Sequence, residues 1–294
     1  MVGQWLSGAY AMMLVWCGVG LLMAGLIYSL YQALRARKDS AVLMDTPSRQ
    51  LIIEESDEYG VIRVVEEDRF RYLEFGNQVE QSCVLMENPL WLKYDYTRAM
   101  LLASLCHEHP ETALFLGLGA GSLTEVCLAT LPLEDVEVLE LRAPLPRIAM
   151  DHLGMTDDPR LTIRIGDALE LIDSAETADL IYLDMYTDTG PSAGHLGWKF
   201  LEKCQDKLNP GGWLIINQWA TLDGRPLGAA LFRGLFYRHY WEIPVKEGNV
   251  ILLVPYSFEQ YPSLELLHSQ AARVAQILGY DISYLIENMR PASE

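Results

Sequence analysis

The chain opens on an unbroken apolar run, with no charged side chain anywhere in residues 2–34. This run exceeds the roughly 20 residues that a helix needs to cross a bilayer. The pattern predicts a transmembrane helix through residues 5–34, inside an anchor and basic flank over residues 1–38. The basic residues follow the apolar run, which favours a cytoplasmic position for the rest of the chain; they are Arg35, Arg37 and Lys38.

Three other interpretations of this segment compete with the anchor. A secretory signal peptide would carry its basic residues ahead of a shorter apolar region. A buried core helix is disfavoured because helices that are apolar all round are rare outside membranes at this length. If the segment is not an anchor, because the true start lies further along the chain, the protein is cytoplasmic. Residues 39–50 are polar with one proline and predict a linker.

The rest of the chain predicts an α/β fold with a small β subdomain in front of it. Residues 51–90 alternate apolar and polar positions between short turns, as antiparallel hairpins do. In residues 91–262 short continuous apolar runs alternate with helix-like segments, which predicts a mostly parallel, Rossmann-like sheet with helices on both faces. Its last two runs predict a hairpin at the sheet edge. Residues 263–294 predict C-terminal helices.

The composition of the chain favours some classes of binding partner and disfavours others. The formal charge of −18 disfavours nucleic acid, because an acidic surface repels phosphates, whereas it suits a cationic substrate such as a polyamine. The five cysteines are scattered and never spaced as C-x-x-C, so we expect no zinc site and no disulfide framework. No other metal-ligand spacing occurs, and we expect no metal. The sequence is compatible with a homodimer.

A glycine-rich turn follows the first predicted parallel strand and precedes a helix. Its glycines, Gly117, Gly119 and Gly121, let a ligand approach the backbone closely and leave the N–H groups of the helix start free. Glu140 ends the next strand, about 20 residues further on, where a carboxylate can accept hydrogen bonds from ribose hydroxyls. The pair predicts a nucleotide-like ligand.

Further acidic residues end the next two strands. Asp167 and Ala168 follow the third strand, and Asp184 and Asp188 follow the fourth. In an open α/β sheet these strand ends border one crevice, so the side chains should converge there. A dinucleotide-binding enzyme usually shows G-x-G-x-x-G, whereas Ser122 holds the sixth position here. The shorter turn with a later G-D-A favours an adenosyl-sulfonium ligand.

At these motifs the chain resembles the spermidine synthase family, polyamine aminopropyltransferases on the fold of S-adenosylmethionine-dependent methyltransferases. The resemblance covers roughly residues 50–260 and includes the β subdomain. It rests on the glycine turn, on the G-D-A, on "DMYTDTGP" at 184–191, on Gln81 and Tyr96, and on the Pro-Gly-Gly at 210–212.

The resemblance implies a role for each matched residue. Glu140 would hold the ribose, Asp167 with Ala168 the adenine, and Asp184 the reacting amine, with Gln81 and Tyr96 at the substrate pocket. It implies transfer of an alkyl group from decarboxylated S-adenosylmethionine, or from S-adenosylmethionine itself, to an amine. Such a displacement needs a neutral amine in line and a carboxylate to accept its proton.

Several positions depart from the family pattern and keep two alternatives open. Ala120 replaces an aspartate of the glycine turn, which favours an S-adenosylmethionine-dependent methyltransferase. Thr187 replaces the second aspartate of the family's D-S-T-D, so Asp188 serves only if the loop is rebuilt. Thr97 and Arg98 replace a histidine and a glutamate, and Arg98 is a poor neighbour for a cationic amine. Thr187, Thr97 and Arg98 together favour a non-catalytic, membrane-anchored binding or scaffold domain.

One histidine in the same loop invites a catalytic interpretation. His195 follows the Asp184 segment, but it has no partner pattern around it. No Ser-His-Asp spacing occurs either. We therefore expect His195 to be a surface or capping residue.

Overall fold

The computed structural model describes residues 49–76 and 78–292. The predicted membrane anchor and nearly all of the predicted linker lie outside these residues. In the part of the chain that is described, none of the helices combines the length and apolarity that a bilayer crossing requires.

The N-terminal strands form a separate antiparallel sheet in the order β1-β2-β3-β4. The alternating pattern of this region therefore predicts the right structure. One register shift lies opposite Leu73 and Glu74, where β4 carries an extra residue, Gln81. The strands are β1 (Gln50–Asp57), β2 (Gly60–Glu67), β3 (Phe70–Phe75) and β4 (Val79–Leu85).

The remaining elements alternate between strand and helix as predicted. The first half comprises α1 (Asp95–Ser104), β5 (Thr112–Leu116), α2 (Ser122–Thr130), β6 (Asp135–Glu140), α3 (Leu145–His152), β7 (Leu161–Ile165), α4 (Ala168–Leu171) and β8 (Ala178–Leu183). The second half comprises β9 (Tyr186–Thr187), β10 (Gly190–Pro191), α5 (Trp198–Asp206), β11 (Leu208–Trp219), α6 (Ala229–Leu235), β12 (Trp241–Pro244), β13 (Asn249–Pro255), α7 (Leu264–Leu278) and β14 (Arg290–Pro291). Short 3-10 helices cover Ile172–Ser174, Ala193–Leu196 and Ser283–Asn288.

The large sheet has the strand order β14-β12-β13-β11-β8-β5-β6-β7. The strands from β7 to β11 are parallel, and β13, β12 and β14 continue the sheet antiparallel. The chain first runs outward from β5 to β7 and then crosses back to place β8 on the other side of β5. The strand order thus reverses between β5 and β8, which is where an open α/β sheet binds ligands.

Alternation along the buried strands fills a core on each face of this sheet. In β5, Ala113 and Phe115 face the core under α1, α2 and α7, while Leu114 and Leu116 face the core under α5 and α6. A strand buried on both faces has no polar face to show in its sequence. This explains why a continuous apolar run marks β5.

A third apolar cluster joins the β subdomain to the Rossmann-like domain. Arg142, just after β6, adds a bidentate ion pair to Asp57 of β1, with N–O distances of 2.6 and 2.9 Å. Burial raises the pKa of Asp57, but the ion pair with Arg142 and the hydrogen bond from the Tyr59 N–H together outweigh burial and leave this pKa below the ordinary value. The β subdomain is thereby fixed over the glycine turn; the cluster contains Ile62, Val64, Leu73, Phe75, Val84, Ala120, Leu145, Ile148 and Leu153.

The C-terminal tail differs from its prediction at its end. Helix α7 and the 3-10 helix Ser283–Asn288 agree with predicted helices, but Arg290–Pro291 pairs with β12 as a strand. Without the tail, β12 would be an edge strand with unpaired backbone N–H and C=O groups, and β14 pairs with these groups. Arg290 also binds Glu242 of β12, at 3.1 Å.

Candidate active site

The glycine turn (Gly117–Gly121) lies at the point where the strand order reverses. Its three glycines have φ angles of +101°, +56° and +78°, all in the left-handed region. A Cβ atom on Gly117 would lie 2.5 Å from the backbone oxygen of Asp184, and one on Gly121 would lie 2.7 Å from the sulfur of Met155. The turn therefore needs glycine both for its backbone and for its close approach to the loop after β8.

Glu140 forms a hydrogen bond with the backbone of this turn. It is the last residue of β6 and only 5 % exposed. Its carboxylate accepts hydrogen bonds from the backbone N–H groups of Leu118, at 2.8 Å, and Arg142, at 2.7 Å. Burial raises the pKa of Glu140 above its ordinary value, although these two bonds lower it in part. Glu140 thus ties its own strand end to the glycine turn, at the position predicted for ribose.

Asp167 lies at the end of the next strand and begins helix α4. Its Oδ1 caps that helix by accepting from the N–H of Leu169 at 2.9 Å, and its side chain is exposed. Ala168 beside it is buried. The apolar residues two positions before and after Asp167 are also exposed, Ile165 at 46 % and Leu169 at 37 %. They offer an apolar surface for a flat ring at the position predicted for adenine.

Asp184 follows β8 and faces the same crevice. Its side chain is half-buried, and its Oδ1 accepts from the Asn217 amide at 2.8 Å. Asn217, on β11, is held in turn by the Asn249 amide of β13 at 2.9 Å. Burial raises the pKa of Asp184 to about 6, with the Asn217 bond acting in the opposite direction. A carboxylate with this pKa is ionised at neutral pH and can accept a proton from an amine.

Tyr96 of α1 lies within electrostatic range of Asp184. Burial, followed by the negative charge of Asp184, raises the pKa of Tyr96 well above its ordinary value. Glu80 and Glu247 lie within electrostatic range of the same hydroxyl. Tyr186, in the loop after Asp184, donates its hydroxyl to the backbone oxygen of Asn217 at 3.1 Å. The structure thus brings Tyr96 and Asp184 together among acidic and phenolic groups.

For two further predicted residues, Asp188 and Gln81, the structure shows contacts with the β subdomain. Asp188 is exposed in the β9–β10 turn and packs against the β3–β4 turn, where a Cβ on Gly76 would lie 2.6 Å from its Oδ2. Gln81 occupies the extra position in β4, and its amide donates to the backbone of Val79 at 3.4 Å. Its neighbour Ser82 approaches the glycine turn instead, 3.8 Å from where a Cβ on Gly119 would lie.

His195 is fully buried, so the expectation that it lies at the surface is wrong. Its ring contacts Tyr186 edge to face, with centroids 5.1 Å apart. Burial lowers the pKa of His195 to about 4, so the imidazole is neutral at pH 7. His195 therefore packs inside the protein against Tyr186, which a lone histidine in a loop sequence does not reveal.

The departures from the family pattern also take up particular positions. Ala120 is 1 % exposed in the apolar cluster under the β subdomain. The hydroxyl of Thr97 donates to the Tyr94 backbone within its own helix start, at 2.9 Å. The resemblance predicts Arg98 beside the amine, whereas its guanidinium stacks on Trp91 and Tyr280, 5.2 and 5.0 Å from the ring centroids.

Asn217 and Asn249 are the site residues that sequence reasoning missed. Asn217 stands near the end of the apolar run "WLIINQW", and an amide at the carboxyl end of a buried parallel strand is a signal that was available. Asn249 has no such signal, because only the pairing of β13 with β11 brings it there. In the described ranges no three His, Cys, Asp or Glu side chains converge as metal ligands would.

Comparisons with known proteins agree with this geometry. No family model matches the chain. A polyamine aminopropyltransferase of Vibrio vulnificus is 26 % identical over 238 residues, which cover 78 % of this chain and 79 % of that protein. A spermidine synthase solved with the transition-state analogue AdoDATO superposes with a TM-score of 0.65 at 16 % identity, covering 81 % of this chain and 84 % of the other. Human methyltransferase-like protein 13 in complex with SAH reaches a TM-score of 0.54 at 22 % identity, covering 63 % of this chain and 92 % of the other. The chain is thus similar in sequence to polyamine aminopropyltransferases, and its fold is the methyltransferase-like fold of the spermidine synthases.

Proposed function

We propose that this protein transfers an alkyl group from an adenosyl-sulfonium donor, decarboxylated S-adenosylmethionine, to an amine such as a polyamine. The observation that carries the proposal is the position of Asp184. Its carboxylate lies half-buried where the strand order reverses, next to the glycine turn and within electrostatic range of Tyr96. Its pKa of about 6 makes it a base at neutral pH.

The reaction is a direct displacement. The neutral amine attacks the carbon beside the sulfonium, a C–N bond forms as the C–S bond breaks, and methylthioadenosine leaves with the electron pair of the broken bond. The amine nitrogen then carries a positive charge and loses a proton to Asp184. Glu140 and Asp167 would hold the ribose and the adenine, and Tyr96 would border the amine. Because Asn217 fixes one carboxylate oxygen of Asp184, the other is left to orient the amine.

A methyltransferase that uses intact S-adenosylmethionine is a second candidate, which one observation favours. Ala120 lies in an apolar cluster and offers no carboxylate to the ammonium of a decarboxylated donor. The extent of the matches favours aminopropyl transfer instead. The likeness to a spermidine synthase covers 81 % of the chain, whereas the likeness to the methyltransferase covers 63 %.

Calorimetric titration of the full-length protein with three nucleosides tests the proposal. We expect decarboxylated S-adenosylmethionine to bind at least about tenfold more tightly than S-adenosylmethionine, and methylthioadenosine to bind as a product. Adding an amine to the donor complex should release methylthioadenosine, measured by chromatography. A preference for the intact donor would support the methyltransferase. If none of the three binds, both enzymatic hypotheses fail and the non-catalytic scaffold is favoured.

We also propose that residues 5–34 anchor the protein in a membrane with the catalytic domain on the cytoplasmic side. The support is the uncharged apolar run and the basic residues that follow it. Fractionation of cells that express the full-length chain, or a variant lacking residues 1–38, tests this. We expect the full-length chain in the membrane fraction and the variant in the soluble fraction; a soluble full-length chain would contradict the anchor. A homodimer stays a prediction.

A further inference from the structure

Tyr186 lies at the base of the hairpin that follows Asp184. It is the first residue of β9, two positions after Asp184. Strands β9 and β10 pair with each other in a two-stranded sheet that is separate from the large sheet. A two-stranded hairpin is only marginally stable on its own in water. Side-chain contacts must therefore contribute to holding this hairpin on the rest of the domain.

The hydroxyl of Tyr186 binds the same residue that binds Asp184. It donates to the backbone oxygen of Asn217 at 3.1 Å, while the side-chain amide of Asn217 donates to Oδ1 of Asp184 at 2.8 Å. The Tyr186 ring also contacts the rings of His195 and Trp219, with centroids 5.1 and 5.9 Å apart. One residue of β11 thus connects Asp184 with the tyrosine two positions later.

Tyr186 also departs from the family pattern. It stands at the third position of "DMYTDTGP", where the family's D-S-T-D has a threonine. Threonine has a short side chain without a ring, so it could not make the aromatic contacts of Tyr186. The tyrosine is therefore a feature of this chain, and the reaction proposed above gives it no role.

The basicity of Asp184 depends on how well its surroundings exclude water. Burial raises the pKa of Asp184 to about 6, and the Asn217 bond acts in the opposite direction. The glycine turn and β11 present backbone atoms and the Asn217 amide to Asp184, and these groups do not titrate. Tyr96 and Tyr186 lie within electrostatic range of it, and burial raises the pKa of both phenols, so they are neutral at pH 7. A loosened loop would therefore act on Asp184 mainly by hydrating its carboxylate, which favours the charged form.

We propose that Tyr186 is a positioning residue, whose hydroxyl and ring hold the segment after β8 against β11 and so keep the Asp184 carboxylate buried and directed at the amine. This inference rests on the proposed function. Asn217 and Tyr186 then have opposite effects on the base, because the Asn217 bond favours the ionised carboxylate whereas burial favours the neutral one. Without the Tyr186 hydroxyl, Asp184 should be a weaker base that is less well aligned with the amine.

The substitution Y186F tests the proposal, since it removes the hydroxyl and keeps the ring. Titration of the full-length protein labelled with carbon-13 aspartate, followed by NMR, measures the pKa of Asp184, and D184N identifies its signal. We expect this pKa to be lower in Y186F than in the unmodified protein, and the acidic limb of the kcat/KM profile to move to lower pH with it. At neutral pH kcat/KM should fall about fivefold, a factor typical of one lost hydrogen bond. Donor affinity should change by less than about twofold.

Tyr182 provides a matched control on the strand that leads to Asp184. It lies on β8, two residues before Asp184, and its buried hydroxyl pairs with that of Ser104 at 2.5 Å. Y182F should leave the pKa of Asp184 unchanged and kcat/KM within about twofold, and thermal melts establish that both variants are folded. The same change in both variants would refute the proposal, because it would then not depend on Tyr186.

Two further outcomes would also overturn the proposal. One is a pKa of Asp184 that stays the same or rises in Y186F; the other is an active enzyme in which this pKa falls while kcat/KM is unchanged. The NMR titration does not require turnover. A protein in which Y186F lowers the pKa of Asp184 but which releases no methylthioadenosine would therefore refute the proposed transfer and still support the role of Tyr186 in keeping Asp184 buried.

Discussion

Replacement of Asp184 with asparagine is expected to lower kcat/KM for amine alkylation by a factor of about 10² to 10⁴, the usual range for loss of a general base. The amide keeps the shape of the side chain and can still accept from Asn217, but it cannot take a proton from the amine. Donor affinity should change by less than about twofold, because the donor is proposed to bind through Glu140 and Asp167. Initial rates of methylthioadenosine release and calorimetry of the donor measure the two effects.

Asp188 provides the matched control for this substitution. Its carboxylate is exposed in the β9–β10 turn and packs against Gly76. D188N should therefore keep kcat/KM within about threefold, as surface substitutions away from a site generally do. Equal losses in D184N and D188N would contradict the assignment of Asp184 as the base and would indicate that the loop rearranges to use both acids.

Stability should move in the opposite direction to activity in D184N. The folded-state pKa of Asp184, about 6, exceeds its ordinary value of 3.8. The group therefore contributes stability that is fully present below its unfolded-state pKa and is lost as the pH rises through about 6. At pH 7 we expect D184N to melt at a higher temperature than the unmodified protein, and near pH 4 this difference should shrink.

The hydrogen bond from the Asn217 amide to Asp184 should determine the pH at which kcat/KM begins to rise. Its hydrogen bond lowers the pKa of Asp184, so N217A should move the acidic limb of the kcat/KM profile to higher pH. Asn209 makes the same type of bond to Asp179, at 3.0 Å, near the amino ends of the parallel strands. N209A should leave the limb where it is. A limb that moves equally in both variants would show that it does not report Asp184.

The sequence predicts those features that depend on one segment at a time. Apolar runs mark β5 and β8 because each is buried on both faces, and the residues that follow them, Gly117 and Asp184, meet at one crevice because parallel strands end at the same edge. The position of Glu140 at this crevice is predicted by the same rule, because Glu140 ends the neighbouring parallel strand β6. These rules need only the order of the elements along the chain.

Features that depend on side-chain direction or on pairing between distant segments were not predictable. The guanidinium of Arg98 stacks on the rings of Trp91 and Tyr280, and Tyr280 lies far along the chain. Asn249 reaches Asn217 only through the register of β13 on β11. The ammonium of Lys93 lies over the rings of Phe70 and Tyr72, which only the packing of β3 against the segment before α1 brings near it.

The substitution G117A should damage stability and catalysis together. At a φ of +101° any side chain is strained, and the added Cβ would lie 2.5 Å from the backbone oxygen of Asp184, closer than real Cβ contacts allow. Either the glycine turn or the Asp184 loop must therefore shift. We expect the free energy of unfolding to fall by about 3 kcal/mol or more, and kcat/KM to fall at least about 10²-fold because a displacement near 1 Å misaligns donor and base.

A substitution at Gly248 distinguishes the effect of backbone strain from the effect of a steric clash. Its φ is +89°, close to that of Gly117, but a Cβ there would meet nothing within 4 Å. G248A therefore carries only the backbone penalty, about 1–2 kcal/mol, and should leave kcat/KM unchanged within about twofold. Chemical denaturation and initial rates measure both variants. If G117A proves no worse than G248A, the contact between the glycine turn and the Asp184 backbone does not hold the two halves of the site in register. If G117A loses stability but keeps full activity, the donor and the base are aligned by contacts other than this one.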